Sequence, residues 1–298
     1  MDFISKIENL NVGEVISNVS LKKYTTYKIN GKASCIVIPD DTNNLIKLIK
    51  YLRNNNIKYK ILGNGSNLIF ENPVYDSVLI KLDSFQNLDI CNNRVVVGAG
   101  YSLTKLALRM SRAGFTGLEF ATGIPGTVGG AIFMNAGAYK SDMGYVVESI
   151  KVLNPNLEEE ILTNKELDFH YRTSFLQKNP GYICLEATLF LKKGDTKEII
   201  EIINERKQRR IETQPLEYPS AGSVFRNPPD DYAGRIIESI GYKGMRVGDA
   251  KVSEKHANFI INCGNATGKD ITTLISEIQA KVKEKYNIEL KVEQEIVK

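Results

Sequence analysis

The stretch ATGIPGTVGGAIFMNAGAY (residues 121–139) places glycine at 123, 126, 129, 130 and 137, and Gly126-Thr127-Val128-Gly129-Gly130 runs into an apolar segment. A loop of this kind opening a helix brings backbone close to a ligand, and a helix N-terminus favours phosphate. A shorter stretch, LGNGSNLIF (62–70), stands at a strand-to-loop junction. There Gly63 and Gly65 permit positive φ, while Asn64, Ser66 and Asn67 supply hydrogen-bonding groups. Successive N–H groups in such a turn form an anion-binding nest. Either loop alone reads equally well as a tight turn that uses glycine for conformation. Together, in adjacent α/β units, they point to one extended diphosphate ligand. Neither carries the GxGxxG of a Rossmann site or the GxxxxGK[ST] of a P-loop, so both classes are disfavoured.

Outward from these loops, the pattern predicts alternating strands and helices. Residues 1–20 read as an amphipathic helical piece. Ser34–Pro39 is a β-branched run stopped by Pro, hence a strand, and Thr42 caps a helix through about Asn55. Short strands are expected near 59–62, 68–70 and 78–82, and at Arg94–Val97. A helix from Ser102 stops at Gly114. Strands recur near 146–153 and 182–192, and the Thr163/Glu166 spacing suggests a capping box opening a short helix. A charged helix spans Thr196–Arg210, followed by a Pro-containing loop. The remainder reads as helix 231–240, strand 257–262, helix 268–285 and strand 288–297. The expected class is α+β.

Composition is that of an ordinary folded chain: 298 residues, 42% hydrophobic and 25% charged, with a net charge of +4. Such a charge is too small to imply nucleic acid but suits phosphorylated small molecules. Cys35, Cys91, Cys184 and Cys263 lie far apart, so each reads as a buried, reduced thiol and no metal site is expected. The N-terminus has no apolar core of a signal peptide and no run is long enough to span a membrane, so a cytosolic protein is expected.

Three polar residues stand out as candidates for chemistry. Ser223 lies in PSAGSVFRNPP (219–229), Arg172 in FHYRTSF (169–175), and Glu293 in the alternating C-terminal segment, where Glu293 and Glu295 are expected on one strand face. Taken singly, each reads more simply as a cap, a surface ion pair or a solvated edge. No serine sits in a GxSxG elbow, which disfavours an α/β-hydrolase.

In combination the segments resemble a known family, the UDP-N-acetylenolpyruvoylglucosamine reductases of peptidoglycan (cell wall) synthesis. The likeness runs through YTTYKING (24–31), LGNGSNLIF, GLEFATGIPGTVGGAIFMNAGAY (117–139), HYRTSFLQ (170–177), SAGSVFRNP (220–228), GDAKVSEKHANFIIN (248–262) and NATGKDI (265–271) to the terminal Glu segment. The resemblance implies a two-lobed FAD-binding domain of the vanillyl-alcohol-oxidase (PCMH) type and then a smaller α+β substrate-binding domain. The expected boundaries are 1–83 for the first FAD lobe, 84–205 for the second, and 206–298 for the substrate domain. The compact length looks like the shorter subtype, which lacks an extra tyrosine-bearing loop.

It also implies FAD, bound non-covalently since GNGSN holds no His, and NADPH as co-substrate. The FAD contacts would be Gly63, Asn64, Gly65, Ser66, Asn67 and Leu68, with Gly123, Ile124, Pro125, Gly126, Thr127, Gly129, Gly130, Gly137 and Ala138. Carried over by the same resemblance, Arg172 holds the substrate carboxylate, Ser223 protonates C2, and Glu293 acts on the enolate, with Glu295 as the alternative register. Tyr139, Tyr171 and Asn227 would line the UDP-sugar substrate. Asn30, Lys140 and Gln294 depart from the family pattern, which more often has Gly, Gly and an apolar residue. Two rivals are a flavin oxidase of the same fold acting on a small alcohol or sugar, and a flavin-binding sensor without chemistry.

Overall fold

The computed structural model describes residues 3–298, and its first element already departs from the sequence expectation. Helix α1 covers only Phe3–Glu8, and Gly13–Ser20 is a strand. Asn11 and Gly13 adopt φ of +49° and +136°, which ends the helix before Val15 and Ile16 begin an extended run. Residues 1 and 2 of the expected helical piece lie outside the described residues.

Two compact units are interleaved in sequence. Unit 1 takes the chain up to Ser17, then Cys35–Asn64 and Ser77–Lys207; unit 2 takes Asn18–Ser34, Gly65–Asp76 and Gln208–Lys298.

In unit 1, helix α2 (Thr42–Asn54) buries Leu45, Leu48, Ile49 and Leu52 along one stripe. Burying each such side chain contributes about 1.5–3 kcal/mol. Its cap is Asp41, which accepts from Asn44 N at 2.8 Å, so the helix starts one residue earlier than the expected Thr42 cap implies. Helix α3 (Leu103–Arg112) is capped by Ser102 and followed by Gly114 at φ +73°, as its sequence predicted. Glycine relieves the Cβ clash of that left-handed position.

The main sheet of unit 1 is antiparallel, in the order 159–163, 147–153, 183–190, 94–98, 88–91. Val95, Val97, Ile150, Val152, Ala187 and Leu189 from its strands lie in the same apolar core as the inward faces of α2 and α3. The strands at 88–91 and 159–163 were not foreseen: they sit at the sheet edges, and Asp89, Cys91, Glu159 and Glu160 mask their apolar pattern. Cys91 is accordingly exposed, correcting its expected burial, whereas Cys35 and Cys184 are buried. Burial pushes the Cys184 thiol up to about 12.

Helix α4 (Val128–Phe133) begins at Thr127, whose Oγ1 accepts from Gly130 N. Helix α5 is the single turn Phe175–Lys178, and α6 spans Thr196–Thr213. No helix starts at Thr163. Glu166 accepts from Thr163 N at 2.8 Å, but the Thr163 hydroxyl donates to Glu166 as well, so it caps no backbone N–H and only turns follow.

Unit 2 holds α7 (Ala233–Ser239), α8 (Gly268–Tyr286) and a three-stranded antiparallel sheet, 246–247, 250–252, 260–262. Helix α8 carries a complete capping box between Thr267 and Asp270 and buries Ile271, Leu274, Ile275, Ile278 and Val282. Residues 68–70 pair in parallel with 295–297. The expected C-terminal strand is thus much shorter: 288–294 is joined to its neighbour only through the bridge Phe225↔Val292, and Glu293 lies outside the strand that contains Glu295.

Candidate functional site

Unit 1 presents Arg172 at the corner of a tight turn. His170 and Thr173 exchange two backbone hydrogen bonds of 3.0 Å, and Arg172 takes the left-handed conformation at φ +55°. An L-residue pays steric energy there, so the turn must be held from outside. Three buried or half-buried side chains do this. Asn135 Nδ2 donates to His170 O (2.9 Å), Gln177 Nε2 donates to Arg172 O (3.0 Å), and Ser174 Oγ donates to Phe133 O (2.7 Å). The guanidinium itself donates from Nη2 to Gly137 O at 2.7 Å, placing Arg172 against the second glycine-rich segment. Tyr171, more than half exposed, lies beneath it with its ring centroid 5.2 Å from Cζ.

Gly137-Ala138 and Ser141-Asp142 form a hairpin whose two central residues, Tyr139 and Lys140, have φ of +55° and +60°. This is the geometry in which glycine is favoured at the second position, which gives the physical reason for the glycine common where Lys140 stands. The Tyr139 hydroxyl donates to Arg206 O (3.0 Å), and the Arg206 guanidinium stacks over its ring.

In unit 2 the remaining segments come together. Glu293 N donates to Val224 O (2.8 Å) and Arg226 N to Lys291 O (2.9 Å), so the Ser223 loop runs antiparallel to the Glu293 segment. Asn67 Nδ2 donates to Glu293 O (3.2 Å), and Glu295 N donates to Asn67 O (2.9 Å). Ser223 is half-buried and follows Gly222, which has φ +75°. Asn258, buried, completes the loop: its Nδ2 donates to Phe225 O and its Oδ1 accepts from Phe225 N. Asn227 Oδ1 accepts from Ala233 N at the start of α7.

Residues 33–158 match the FAD binding domain family, and residues 214–297 match the UDP-N-acetylenolpyruvoylglucosamine reductase, C-terminal domain. The chain is 46% identical over 288 residues to the UDP-N-acetylenolpyruvoylglucosamine reductase of Anoxybacillus flavithermus, covering 96% of this chain and 95% of that one. The chain belongs to the UDP-N-acetylenolpyruvoylglucosamine reductase family. The reductase of Bacillus subtilis is 41% identical across 99% of this chain and 97% of its own. Among solved structures, the UDP-N-acetylenolpyruvylglucosamine reductase of Thermus caldophilus superimposes with a TM-score of 0.81 at 36% identity, over 96% of this chain and 98% of that one. Wild-type Phl p 4.0202, a glucose dehydrogenase, shares the fold alone, with a TM-score of 0.50 and 12% identity over 66% of this chain and 45% of that one.

The FAD domain of this reductase-family chain offers a donor set that fits a dinucleotide. Among the described residues, the N–H groups of Gly63, Asn64, Gly65 and Ser66 donate to no other protein group, and Gly65 has φ +60°. Such a run of free amides is an anion nest. A Cβ on Gly65 would lie 2.1 Å from Tyr24 O, and one on Gly63 would lie 2.9 Å from Thr127 Oγ1. This loop therefore needs glycine at Gly65, where the backbone passes close to Tyr24 O. Only Gly65 among the loop glycines uses positive φ; of the others, Gly63, Gly129, Gly130 and Gly137 stand where a Cβ would meet a neighbour within 3.3 Å.

At α4 the amides are already engaged. Val128 N donates to Tyr101 O, Gly129 N to Ala99 O and Gly130 N to Thr127 Oγ1, so this helix start offers an anion its dipole and not its N–H groups.

Several buried polar residues beside these segments were not singled out from sequence. Lys81, buried, donates from Nζ to Gly63 O (3.0 Å) and pairs with Asp83. A lysine inside the apolar run VLIKL was the available signal. Asn135, Asn258 and Asn262 are each at most 3% exposed, and nothing in their sequence context sets them apart from surface asparagines.

Proposed function

We propose that the chain reduces the enolpyruvyl ether of a UDP-N-acetylglucosamine to the corresponding lactyl ether, UDP-N-acetylmuramate, with Arg172, Ser223 and Glu293 as its catalytic residues and NADPH as the source of reducing equivalents. The observation that carries this reading is the meeting, within unit 2, of the Asn67 segment of the cofactor loop, the Glu293 segment and the Ser223 loop. Bound FAD supplies hydride transfer, from NADPH to C3 of the enolpyruvyl group. Gly63, Asn64, Gly65, Ser66, Asn67 and Leu68, with Gly123, Ile124, Pro125, Gly126, Thr127, Gly129, Gly130, Gly137 and Ala138, hold the cofactor.

As C3 gains hydride, negative charge develops toward the substrate carboxylate. A guanidinium binds a carboxylate bidentately, and one fixed in advance stabilises such charge without reorganising; this is the role of Arg172. The Ser223 hydroxyl delivers the proton that C2 requires, which completes saturation of the double bond. Glu293 orients the enolate. Tyr139, Tyr171 and Asn227 line the substrate. In this reading residues 1–83 and 84–205 serve the flavin and 206–298 the UDP-sugar, without nucleic acid as a partner. On this reading the work on a nucleotide sugar takes place in the cytosol; among the described residues no helix is long and apolar enough to cross a membrane.

The test is stopped-flow spectroscopy of the yellow holoprotein. NADPH should bleach the flavin, and the enolpyruvyl substrate should restore its absorbance. Ser223→Ala should leave bleaching nearly intact and slow the restoration by about 10²-fold or more, as expected for loss of a positioned acid. Equal loss in both halves would show Ser223 to be structural. Reoxidation by oxygen faster than by substrate would favour an oxidase.

A further inference from the structure

The Ser223 loop is held by a buried side chain to which the reaction above gives no part. Gln294 is 4% exposed and continues the inward face of Leu290 and Val292, a position that packing alone would fill with an apolar residue. A buried amide is costly unless its hydrogen bonds are made. Here they are. Nε2 donates to Ala221 O (3.0 Å) and to Gly222 O (3.2 Å), and Oε1 accepts from the Tyr27 hydroxyl (3.0 Å).

Tyr27 is fully buried, and that burial pushes its phenol far above the usual range, so it remains a neutral donor. Its own carbonyl accepts from Asn262 Nδ2 (2.9 Å), and Asn262 N donates to Pro219 O (2.9 Å), so the brace is anchored at both ends of the loop's first half.

The geometry of Gly222 makes the brace consequential. It is left-handed at φ +75°, and nothing lies within 4 Å of the place a Cβ would occupy. No contact on that side therefore fixes the residue that directly precedes Ser223. The carbonyls of Ala221 and Gly222 belong to the two peptide planes before Ser223, and one amide group binds both. We infer that Gln294, braced by Tyr27, is a positioning residue that sets the two peptide planes preceding Ser223 and so aims its hydroxyl at the carbon it protonates. This rests on Ser223 as the proton donor.

The experiment compares Gln294→Met, Tyr27→Phe and Ser223→Ala in the FAD-loaded protein, reading flavin reduction by NADPH, reoxidation by the enolpyruvyl substrate, and the solvent deuterium isotope effect on reoxidation. Methionine keeps the length of glutamine without its hydrogen bonds. Misplacing a reacting group by about 1 Å costs up to ~10²-fold. Gln294→Met should slow reoxidation by about 10- to 100-fold on that basis, leave flavin reduction unchanged, and raise the isotope effect as proton delivery becomes the slow step. Tyr27→Phe should act in the same sense and more weakly.

If Ser223→Ala is slow while Gln294→Met reoxidises at the parental rate with the parental isotope effect, the positioning role is overturned and the proton-donor reading stands. If Gln294→Met slows both half-reactions alike, its role is general packing and the inference is equally overturned. A normal Ser223→Ala removes the reading and the inference together. Should Gln294→Met fail to hold FAD, Tyr27→Phe decides by the same criteria.

Discussion

The turn that presents Arg172 and the loop that presents Ser223 solve the same problem by different means. Around Arg172 the backbone itself is bent into left-handed conformations at Asn135, Tyr139, Lys140 and Arg172, and the side-chain bonds from Asn135, Gln177 and Ser174 hold it there. Around Ser223 the only left-handed residue in the loop before Asp230 is a glycine, and two buried side-chain amides, Asn258 and Gln294, supply the bonds, with the backbone N–H of Asn262 holding Pro219 O. The first device stores strain that a glycine would relieve. The second stores none, but each amide removed strands buried backbone groups at about 1–3 kcal/mol apiece.

The contrast is most exposed to test at Asn258. Asn258→Ala strands both Phe225 N and Phe225 O, so unfolding in denaturant should show a loss of about 2–5 kcal/mol. A loss under about 1 kcal/mol, the scale of one ordinary hydrogen bond, would break the comparison.

Asn135 tests the other side. Asn135→Ala loses the bonds to His170 O and from Gly144 N and leaves a Cβ at φ +41°. Asn135→Gly loses the same bonds without the strain, and should be the more stable of the two by about 1 kcal/mol. Equal stabilities would mean that strain plays no part at this turn.

Much of this was legible in the sequence, and what was not has a common cause. Core helices α2, α3 and α8 were evident because an apolar stripe and a cap coincide in each. The glycine-rich segments stood out because at positions such as Gly65 and Gly137 a Cβ would run into neighbouring backbone. The edge strands at 88–91 and 159–163 were missed, since exposed edges carry the charges that prevent strand addition. The C-terminal segment misled in another way. Its alternation is real, with Leu290 and Gln294 buried, but the pairing that makes a strand is absent before Glu295. The burial of the amides that hold the Ser223 loop, Asn258 and Gln294, was not legible because asparagine and glutamine in sequence signal solvent, and only tertiary contacts bury them.

A gain in stability is the sharper test of the strained hairpin. Lys140→Gly should raise stability by about 1 kcal/mol, or a few degrees in melting temperature, by removing one left-handed side chain. No change, or a loss, would show that Lys140 contributes more through its side chain than its backbone costs.

The smallest expected effect is a pH dependence within the amide-held region. Asn258 N donates to His256 Nδ1 (3.2 Å), so this nitrogen must be unprotonated, and burial lowers the ring's pKa. A lowered folded-state pKa means that the unfolded chain binds the proton more readily. The associated stability is present above the unfolded value of about 6.5 and is lost as the pH falls below it toward the folded value. Of the two histidines, His256 should titrate by NMR below about 6.5; titration at or above that value would separate it from the Ser223 loop.

The parallel pairing of Leu68–Phe70 with Glu295–Val297 has a consequence for how the protein is made. Its partners are separated by roughly 230 residues of chain, and closing so long a loop is slow and entropically unfavourable until other contacts assist. During synthesis, residues 65–70 emerge early and wait for a strand that leaves the ribosome long afterwards. The main sheet of unit 1, complete by Phe190, can form in the meantime. The segment that begins at Gly65 is therefore the last to be set in place. Birth order along the chain and order of assembly in the fold run in opposite directions here, so a nascent chain stalled before residue 295 would have its sheet while Leu68–Phe70 still lacked a partner strand.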